Sequence, residues 1–235
     1  MLYLKSMKTI LITGGSSGLG LRLCVDYLVG GHTVYATYLR HPNSLLYLKK
    51  RYSQLTPTFL DLSLPQIASP LPPQLDTLIL FAGTLHSSLV LREQPETFEA
   101  IIQTNLSSNA MLCQQLHPLL EASQNPHLII VSSLSALKGS VGQVAYSASK
   151  AALIGFAKSL AKEWAKDQIK VNVILPGFMT SRQTLTLEPH QISHLCEANI
   201  LKRFGTLKEI SSVIRCITDT HSISGQVFNL DSRLL

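Results

Sequence analysis

Short apolar runs alternate along the chain with longer amphipathic stretches. The runs carry few polar residues, as is typical of parallel strands that are covered on both faces. They predict strands at 8–13, 32–38, 57–62, 75–81, 128–131, 170–175 and 226–230. Strands and helices that alternate in this way form a doubly wound sheet with right-handed crossovers. The predicted fold class is therefore α/β, a single Rossmann-like domain over 1–235 with helices on both faces of about seven parallel strands.

The stretches between the runs repeat their apolar residues at helical spacing. They predict one helix directly after the first strand, one that starts near Glu96 and one that runs from about Tyr146 to Trp164. A short helix is predicted at 209–218. Residues 178–200 are polar without a regular period, so we expect an irregular, mobile flap over the functional site.

Size and composition exclude several classes of protein. The chain has 235 residues, of which 46% are hydrophobic and 14% charged, so it can bury a core and does not match a disordered chain. No apolar run reaches membrane-spanning length, and the N-terminus lacks a signal-peptide layout. The four cysteines lie far apart, which predicts reduced thiols in a cytoplasmic protein and no zinc site.

The net charge of +6 changes this picture only slightly. A basic balance serves solubility, or it indicates an acidic partner or a phosphorylated ligand. Basic residues are not interleaved with aromatic ones, so we do not expect nucleic-acid binding. Lys158, Lys162 and Lys166 form a basic stripe along one helix, which is most often a solvated face.

A glycine-rich turn joins the first predicted strand to its helix. Gly14, Gly18 and Gly20 are spaced as G-x-x-x-G-x-G rather than G-x-G-x-x-G. Without side chains, the backbone can approach a pyrophosphate, and the helix N-terminus supplies amide hydrogens and a positive dipole end. The turn indicates a dinucleotide site, although a plain βα turn would have a similar composition.

Two residues at later strand ends bear on the type of cofactor. After the second strand, where an acidic residue would bind a ribose 2′-hydroxyl, the chain has Tyr38, Leu39 and Arg40. A guanidinium there favours NADP(H) over NAD(H), whereas the alternative is a solvated loop arginine. Asp61 follows the third strand, where its carboxylate either accepts from an adenine amino group or acts as the N-cap of a helix.

The candidate chemistry lies between the fifth strand and the helix after it. Ser133 follows the strand, Tyr146 comes thirteen residues later, and Lys150 lies one helical turn beyond Tyr146. A phenol can donate a proton to a carbonyl, and a nearby ammonium is expected to lower the pKa of that phenol. Ser133 would hydrogen-bond the oxygen on which charge develops. Asn105, beside an apolar stripe, is either a satisfied helix residue or the holder of a water.

Taken together, these elements resemble the short-chain dehydrogenase/reductase family along nearly the whole chain. Thr13-Gly14-x3-Gly18-x-Gly20 matches its cofactor turn, and Asp61 its adenine-binding acid. Pro176-Gly177 with Thr180 matches the segment that flanks the nicotinamide. The catalytic tetrad of the family is matched by Asn105, Ser133, Tyr146 and Lys150. The segments QVAYSASKAALIGFAKSLAKEWA, VNVILPGFMT and LKRFGTLKEI look most like 3-oxoacyl-[acyl-carrier-protein] reductases.

The resemblance implies roles for these residues. Lys150 would hold the nicotinamide ribose, and Asn105 would anchor a water that relays protons to it. The implied cofactor contacts are Gly14, Ser16, Ser17, Gly18, Leu19, Gly20, Arg40, Asp61, Leu62, Ala82, Gly83, Asn105, Tyr146, Lys150, Pro176, Gly177 and Thr180.

The implied activity is NADPH-dependent reduction of a 3-oxoacyl thioester in fatty acid biosynthesis. An acidic acyl-carrier protein would be the partner, which the +6 charge suits. The resemblance also implies a homotetramer or homodimer with the Tyr146 helix at a subunit interface. Two alternatives remain: an NAD(P)-dependent alcohol or hydroxy-compound dehydrogenase, and a non-catalytic subunit that only binds cofactor.

The chain departs from the family pattern at four places. Phe81-Ala82-Gly83 replaces Asn-Ala-Gly, so a hydrogen bond in the central sheet is expected to be missing. Ser16 and Ser17 stand where NADP-binding members often carry a basic residue. The segment between Asp61 and Asp76 is short, which predicts at most one helical turn there. Asp231-Ser232-Arg233 replaces the usual Asp-Gly-Gly near the C-terminus.

Overall fold

A single sheet of seven parallel strands forms the centre of the protein. The structure is a computed structural model that describes residues 7–64, 71–179 and 188–233. The strand order is β3-β2-β1-β4-β5-β6-β7, and every neighbouring pair is parallel. The strands are β1 (Thr9–Ile12), β2 (Thr33–Tyr38), β3 (Leu55–Phe59), β4 (Thr77–Leu80), β5 (His127–Val131), β6 (Lys170–Leu175) and β7 (Val227–Asn229).

Helices follow most of the strands. They are α1 (Gly18–Val29), α2 (Asn43–Arg51), α3 (Pro95–Ile102), α4 (Ser108–Glu121), α5 (Ser135–Lys138), α6 (Val144–Glu163), α7 (Pro189–Glu197) and α8 (Leu207–Thr218). A π-helical turn at Gln103–Ser107 joins α3 to α4, and 3₁₀ turns lie at Val90–Arg92 and Trp164–Asp167.

Alternate residues of the central strands pack into two cores, one on each face of the sheet. Ile10 and Ile12 pack with residues of α1 and α8, whereas Leu11 packs with residues of α4 and α6. Successive side chains of a strand point to opposite faces, and here both faces are covered. All residues of β4 and β5 are therefore buried. The predicted doubly wound parallel sheet is confirmed.

The observed elements differ from the prediction in detail. The third strand was expected at 57–62 but spans Leu55–Phe59, and it accommodates Pro57 because β3 is at the edge of the sheet. Helix α2 was not predicted. The short segment after Asp61 lies partly outside the described residues, and its described residues contain no helix.

The prediction of an irregular segment at 178–200 is wrong for its second half. Helix α7 occupies Pro189–Glu197, with a capping box between Glu188 and Gln191. A proline at the first helical position and reciprocal capping both favour a helix start, and they outweigh the weak apolar pattern. Residues 180–187, including Thr180, lie outside the described residues.

Candidate active site

The site residues follow four strands whose carboxyl ends meet at one edge of the sheet. The glycine turn follows β1, Ala82-Gly83 follows β4, Ser132-Ser133 follows β5 and Pro176-Gly177 follows β6. Because all the strands are parallel, these segments lie side by side. The order along the sheet reverses between β1 and β4, and open α/β sheets bind ligands at such a switch point.

The glycine turn leaves open space at the start of α1. A Cβ on Gly20 would lie 2.3 Å from the carbonyl oxygen of Gly14, so a side chain there is excluded. Gly18 has φ +52°, and a Cβ there would have no neighbour within 4 Å. Ser17 precedes α1 without a side-chain cap, and the first turn carries no acidic residue. This uncapped helix start, with Ser16 beside it, fits the phosphates of a dinucleotide.

The side chains of Leu19 and Leu62, two of the predicted cofactor contacts, are buried, so a cofactor could reach these residues only through their backbone. The Leu19 side chain is buried in the core beneath α1, with 1% of its surface exposed. Leu62 is also buried, and its carbonyl oxygen accepts a hydrogen bond from the Ser108 hydroxyl. A cavity of about 230 Å³ lies beside Leu62 and is also bordered by Met111.

Arg40 and Asp61 lie near each other at the ends of the neighbouring strands β2 and β3. Arg40 is exposed. The Asp61 Oδ1 atom accepts hydrogen bonds from the Ser63 amide at 2.9 Å and the Ser63 hydroxyl at 2.7 Å. These two bonds hold the pKa of the Asp61 carboxyl below its ordinary value, and the Arg40 charge adds a smaller effect in the same direction. No described helix starts at Asp61, so these bonds stabilise a turn rather than a helix N-terminus, and the adenine contact stays a prediction.

Thr13 stabilises the end of β4, where the expected asparagine is replaced by Phe81. The buried hydroxyl of Thr13 accepts hydrogen bonds from the amides of Phe81 at 2.9 Å and Ala82 at 3.0 Å. Phe81 has no polar side chain to bond across the sheet, so Thr13 holds this segment. Gly83 follows and is exposed to the site.

The side chain of Asn105 holds the loop after β4 against helix α6. Its Oδ1 accepts from the Thr84 amide at 2.7 Å, and its Nδ2 donates to the Thr84 carbonyl at 2.9 Å and the Ser149 hydroxyl at 3.1 Å. Asn105 is fully buried within the π-helical turn, a local geometry that is frequent at functional sites. The observed contacts give Asn105 a positioning role, and the water it would anchor stays a prediction.

Ser133 and Tyr146 are hydrogen-bonded to each other through their side chains. Ser133 Oγ also accepts from the Ser135 amide at 3.2 Å, which fixes its position after β5. Burial raises the pKa of the Tyr146 phenol above its ordinary value, and the bond with Ser133 opposes the rise. The expected lowering of this pKa is not found, since burial outweighs the opposing effect.

Lys150 is buried beneath Tyr146 and is anchored to β5 at two points. Its Nζ donates to the Val131 carbonyl at 3.0 Å, and its own carbonyl accepts from the Ser132 hydroxyl at 2.7 Å. The Nζ atom lies 5.8 Å from the centroid of the Tyr146 ring. Burial lowers the pKa of the ammonium to about 8. A Cβ on Gly83 would lie 3.6 Å from Lys150 Nζ and 2.8 Å from Asn105 Oδ1. The side chains of Asn105 and Lys150 therefore both approach the backbone of Gly83.

Pro176 and Gly177 continue this edge beyond β6. Pro176 is buried, and Gly177 has φ +70°. The carboxylate of Asp231 fills the space where a Gly177 side chain would lie. The structure thus brings together the predicted tetrad and the described cofactor segments, whereas Thr180 is not described.

Three buried hydroxyls support the site through hydrogen bonds that the sequence did not predict, although Thr13 was already placed in the cofactor turn. Ser132 bonds to the Lys150 carbonyl, Ser149 bonds to Asn105 and the Tyr146 carbonyl, and Thr13 holds the end of β4. Each is a small polar residue at a position that the strand or helix period assigns to the core. That mismatch is a signal that sequence alone offers, because buried hydroxyls need partners.

Metal ligation and membrane insertion find no support in the described residues. Within 7–64, 71–179 and 188–233, no three His, Cys, Asp or Glu side chains are grouped so that they could hold a metal ion. Over the same ranges, no helix has the length and apolar content to cross a bilayer. Cys24, Cys113, Cys196 and Cys216 are free.

Known proteins resemble this chain in sequence and in fold. Residues 8–191 match the family model for short chain dehydrogenases. The chain is 30% identical to the 3-oxoacyl-[acyl-carrier-protein] reductase FabG of Thermotoga maritima, over 97% of this chain and 98% of that protein. It is 32% identical to a tropinone reductase homolog of Arabidopsis thaliana, over 97% and 91%.

Two further comparisons involve a shorter match and a solved structure. Carbonyl reductase family member 4 of Xenopus tropicalis is 34% identical, but the match spans only 68% of this chain and 66% of that protein. The active-site complex of RhlG with NADP from Pseudomonas aeruginosa has a TM-score of 0.88 and 27% identity, over 97% of this chain and 96% of that one. The chain therefore belongs to the short-chain dehydrogenase family and is an NAD(P)-dependent oxidoreductase.

Proposed function

We propose that this protein uses NADPH to reduce a ketone to a secondary alcohol, and that the ketone is a 3-oxoacyl thioester. One observation carries the proposal: a partly buried phenol, Tyr146, is hydrogen-bonded to Ser133 and lies above the buried amine of Lys150. A phenol whose pKa is raised stays protonated at neutral pH. It is therefore prepared to donate a proton, which is what reduction requires.

The residues of the chain divide the proton chemistry among them. A nicotinamide cofactor held at this edge of the sheet would supply the hydride for the carbonyl carbon. Tyr146 donates its proton to the carbonyl oxygen as negative charge develops there, and Ser133 hydrogen-bonds the same oxygen. Lys150, with its pKa at about 8, is largely protonated at neutral pH and stabilises the phenolate that remains. Asn105 holds the loop after β4 against α6 through its hydrogen bonds to Thr84 and Ser149.

The cofactor fits the open edge described above. The amides at the start of α1 would hold the phosphates, and the adenosine would lie near Asp61 and Arg40. Ala82 and Gly83 would lie against the cofactor, and Lys150 with Tyr146 would contact its nicotinamide ribose. Arg40 is exposed at the edge of the site, without a carboxylate in the place that recognises a 2′-hydroxyl, which supports NADP(H).

Exposed apolar side chains border the site and support an acyl substrate. Leu89 and Leu91, in the loop after β4, are 51% and 96% exposed, and Val141, between α5 and α6, is 93% exposed. The Ser88 amide donates to the Gly142 carbonyl at 2.9 Å, which joins the two loops beside Tyr146. Apolar groups left in water at the mouth of a site favour an apolar ligand. The Thermotoga relative is named as a 3-oxoacyl-[acyl-carrier-protein] reductase.

Binding of an acidic acyl-carrier protein stays a prediction. The basic stripe of Lys158, Lys162 and Lys166 gives it little support. Lys158 and Lys162 are exposed, but α6 starts at the site and runs away from it. At 1.5 Å per residue, these lysines lie roughly 18 and 24 Å along the helix from Tyr146. A partner on the stripe would therefore lie beside the sheet. Comparing the KM of an acyl-carrier-protein thioester with that of a short thiol thioester tests this partner.

Several other implications also stay predictions. The homotetramer or homodimer with α6 at its interface is tested by light scattering on the purified chain. A role in fatty acid biosynthesis would follow from the proposed substrate, and the cytoplasmic location expected from the separated cysteines stays a prediction. An alcohol or hydroxy-compound dehydrogenase predicts faster turnover with simple ketones and alcohols than with thioesters, whereas a non-catalytic subunit predicts cofactor binding without turnover.

The decisive experiment replaces Tyr146 with Phe and follows NADPH oxidation with an acetoacetyl thioester and with simple ketones. The ring stays in place and only the proton donor is lost, so we expect kcat to fall by roughly 10²- to 10⁴-fold. The Kd of NADPH should change little. Tyr47→Phe, on the exposed face of α2, is the matched control and should behave as the wild type. Near-normal turnover by Tyr146→Phe would refute the proposal.

A further inference from the structure

The unusual Asp231-Ser232-Arg233 segment forms a compact ion pair. The Arg233 Nε donates to Asp231 Oδ1 at 2.8 Å, and Nη2 donates to Oδ2 at 2.7 Å. The Arg233 amide also donates to Oδ1 at 2.8 Å. The Arg233 side chain is only 14% exposed, and the Asp231 side chain only 2%. A two-pronged bond of this kind fixes orientation as well as charge, which a lysine does not reproduce.

The Asp231 carboxylate reaches across to the segment after β6. Its Oδ2 accepts from the Phe178 amide at 3.1 Å. A Cβ on Gly177 would lie 2.0 Å from the same oxygen, so the carboxylate is seated against the glycine backbone. Burial raises the pKa of Asp231, but hydrogen bonds from Arg233 outweigh it and hold the pKa below its ordinary value. The carboxylate is therefore charged at neutral pH.

Arg233 also packs on an aromatic pair. Its guanidinium carbon lies 4.5 Å from the centroid of the Phe178 ring, which in turn lies 5.9 Å from the Phe204 ring. The Gly205 amide donates to the Phe178 carbonyl at 3.1 Å. Cations over aromatic faces attract the ring quadrupole, more strongly where water is excluded. Arg233 thus holds Phe178, which in turn contacts Phe204 and Gly205 on the far side of the 180–198 stretch.

Ser232 adds a second link to the returning part of the chain. Its carbonyl accepts from the Ile200 amide at 3.3 Å, and its hydroxyl donates to Asn199 Oδ1 at 3.3 Å. Asn199 is buried, with 2% exposed. The C-terminal segment therefore contacts the chain where it leaves β6, at 177–178, and where it returns towards α8, at 199–200. Residues 204 and 205 are linked to it through Phe178. A Gly-Gly pair would lack the side chains that make the Arg233 and Ser232 hydroxyl contacts.

We propose that Arg233 is a positioning residue that clamps 177–178 to 199–205 and thereby sets the affinity for cofactor and substrate. The clamp itself stands on the contacts above. Its effect on ligands rests on the proposed function, which places the nicotinamide beside Gly177. Among the described residues, the side-chain contacts of Arg233 are to Asp231 and Phe178 and not to Tyr146, so the clamp acts on binding more than on the chemical step.

The test uses Arg233→Ala and Arg233→Lys in the full chain. The first readout needs no cofactor: trypsin cleavage after Lys202 and Arg203, two exposed residues within the returning segment. We expect Arg233→Ala to speed cleavage there roughly tenfold, and to raise the Kd of NADPH and the KM of the ketone about five- to tenfold, the scale of one lost charge-assisted bond. The kcat should stay within about twofold, because the proton donor is untouched.

A conservative variant and a matched control separate positioning from general damage. Arg233→Lys keeps the positive charge but cannot form the two-pronged hydrogen bond to Asp231, so its effects should be intermediate. Guanidinium chloride at millimolar concentration should partly restore the Kd of Arg233→Ala, whereas sodium chloride should not. Arg51→Ala removes another cation from an aromatic ring, 5.5 Å from the Tyr52 centroid, and should change none of these quantities.

Three outcomes would overturn the proposal: wild-type cleavage and wild-type Kd in Arg233→Ala, a fall in kcat as large as the rise in KM, or an equal effect of Arg51→Ala. If Arg233→Ala does not fold, Arg233→Lys with wild-type cleavage and Kd would overturn it just as well. Failure to turn over any ketone would refute the proposed function but leave the cleavage and NADPH results decisive for the clamp.

Discussion

Burial of the Lys150 ammonium lowers the free energy of unfolding of this protein, and the loss can be measured. The amine is fully enclosed, and burial lowers its pKa from an ordinary value of 10.5 to about 8. At neutral pH the folded chain must therefore hold a charged group in a place that disfavours charge. Replacing Lys150 with Met keeps most of the side-chain volume and removes the charge. We expect Lys150→Met to stabilise the cofactor-free chain at pH 7.

The magnitude follows from the two pKa values. Between pH 8 and 10.5 the unfolded chain holds one proton more than the folded chain, so stability rises by about 1.4 kcal/mol per pH unit, about 3 kcal/mol in all. Below pH 8 the wild-type chain is therefore less stable by this amount than it is above pH 10.5. The variant forgoes the bond from Nζ to the Val131 carbonyl, which contributes about 1 kcal/mol. The net gain at pH 7 is then about 2 kcal/mol.

The assay is urea unfolding of both chains at pH 7 and pH 10, at one protein concentration because association would shift the midpoint. The advantage of Lys150→Met should shrink by roughly 2 to 3 kcal/mol at pH 10, where wild-type Lys150 has lost its proton in the folded state. This change with pH is independent of the lost hydrogen bond. Lys158→Met, at an exposed position of the same helix, is the control and should show no such change.

An equal stability difference at both pH values would refute this reasoning, because it would mean that Lys150 carries no depressed pKa in the folded chain. The variant should also lose turnover, since the stabilising charge beside Tyr146 is gone. Greater stability with lower activity is the usual consequence of a strained catalytic group.

Two further substitutions test other parts of the site. Arg40→Ala should raise the Kd of NADPH about tenfold and leave that of NADH within about twofold in a fluorescence titration, since only the 2′-phosphate loses a partner; equal changes for both cofactors would contradict the assignment. Gly83→Ala places a Cβ 2.8 Å from Asn105 Oδ1, and displacing this amide should lower kcat roughly 100-fold in steady-state assays. A wild-type kcat would show that the contact between Gly83 and Asn105 does not matter.

The sequence by itself determined the fold class and most of the site. Buried parallel strands are apolar throughout, so seven such runs separated by helical periods are visible without coordinates. Strand ends are likewise visible, and in a parallel sheet they converge on one edge. The glycine turn, Ser133 and Pro176-Gly177 were therefore expected near each other from their places in the chain, with Tyr146 and Lys150 on the helix that follows.

Only the tertiary structure decided which groups support that site and how they are charged. The pKa of Tyr146 depends on how deeply the phenol is buried and on its hydrogen bond with Ser133, and neither follows from the local sequence pattern. Asn105 is hydrogen-bonded to Thr84 and Ser149, which lie 21 and 44 residues away from it in the sequence. The clamp at Arg233 depends on the meeting of three segments, at 177–178, 199–205 and 231–233. Local patterns report the period of an element, whereas burial and pairing across the fold depend on where the elements pack.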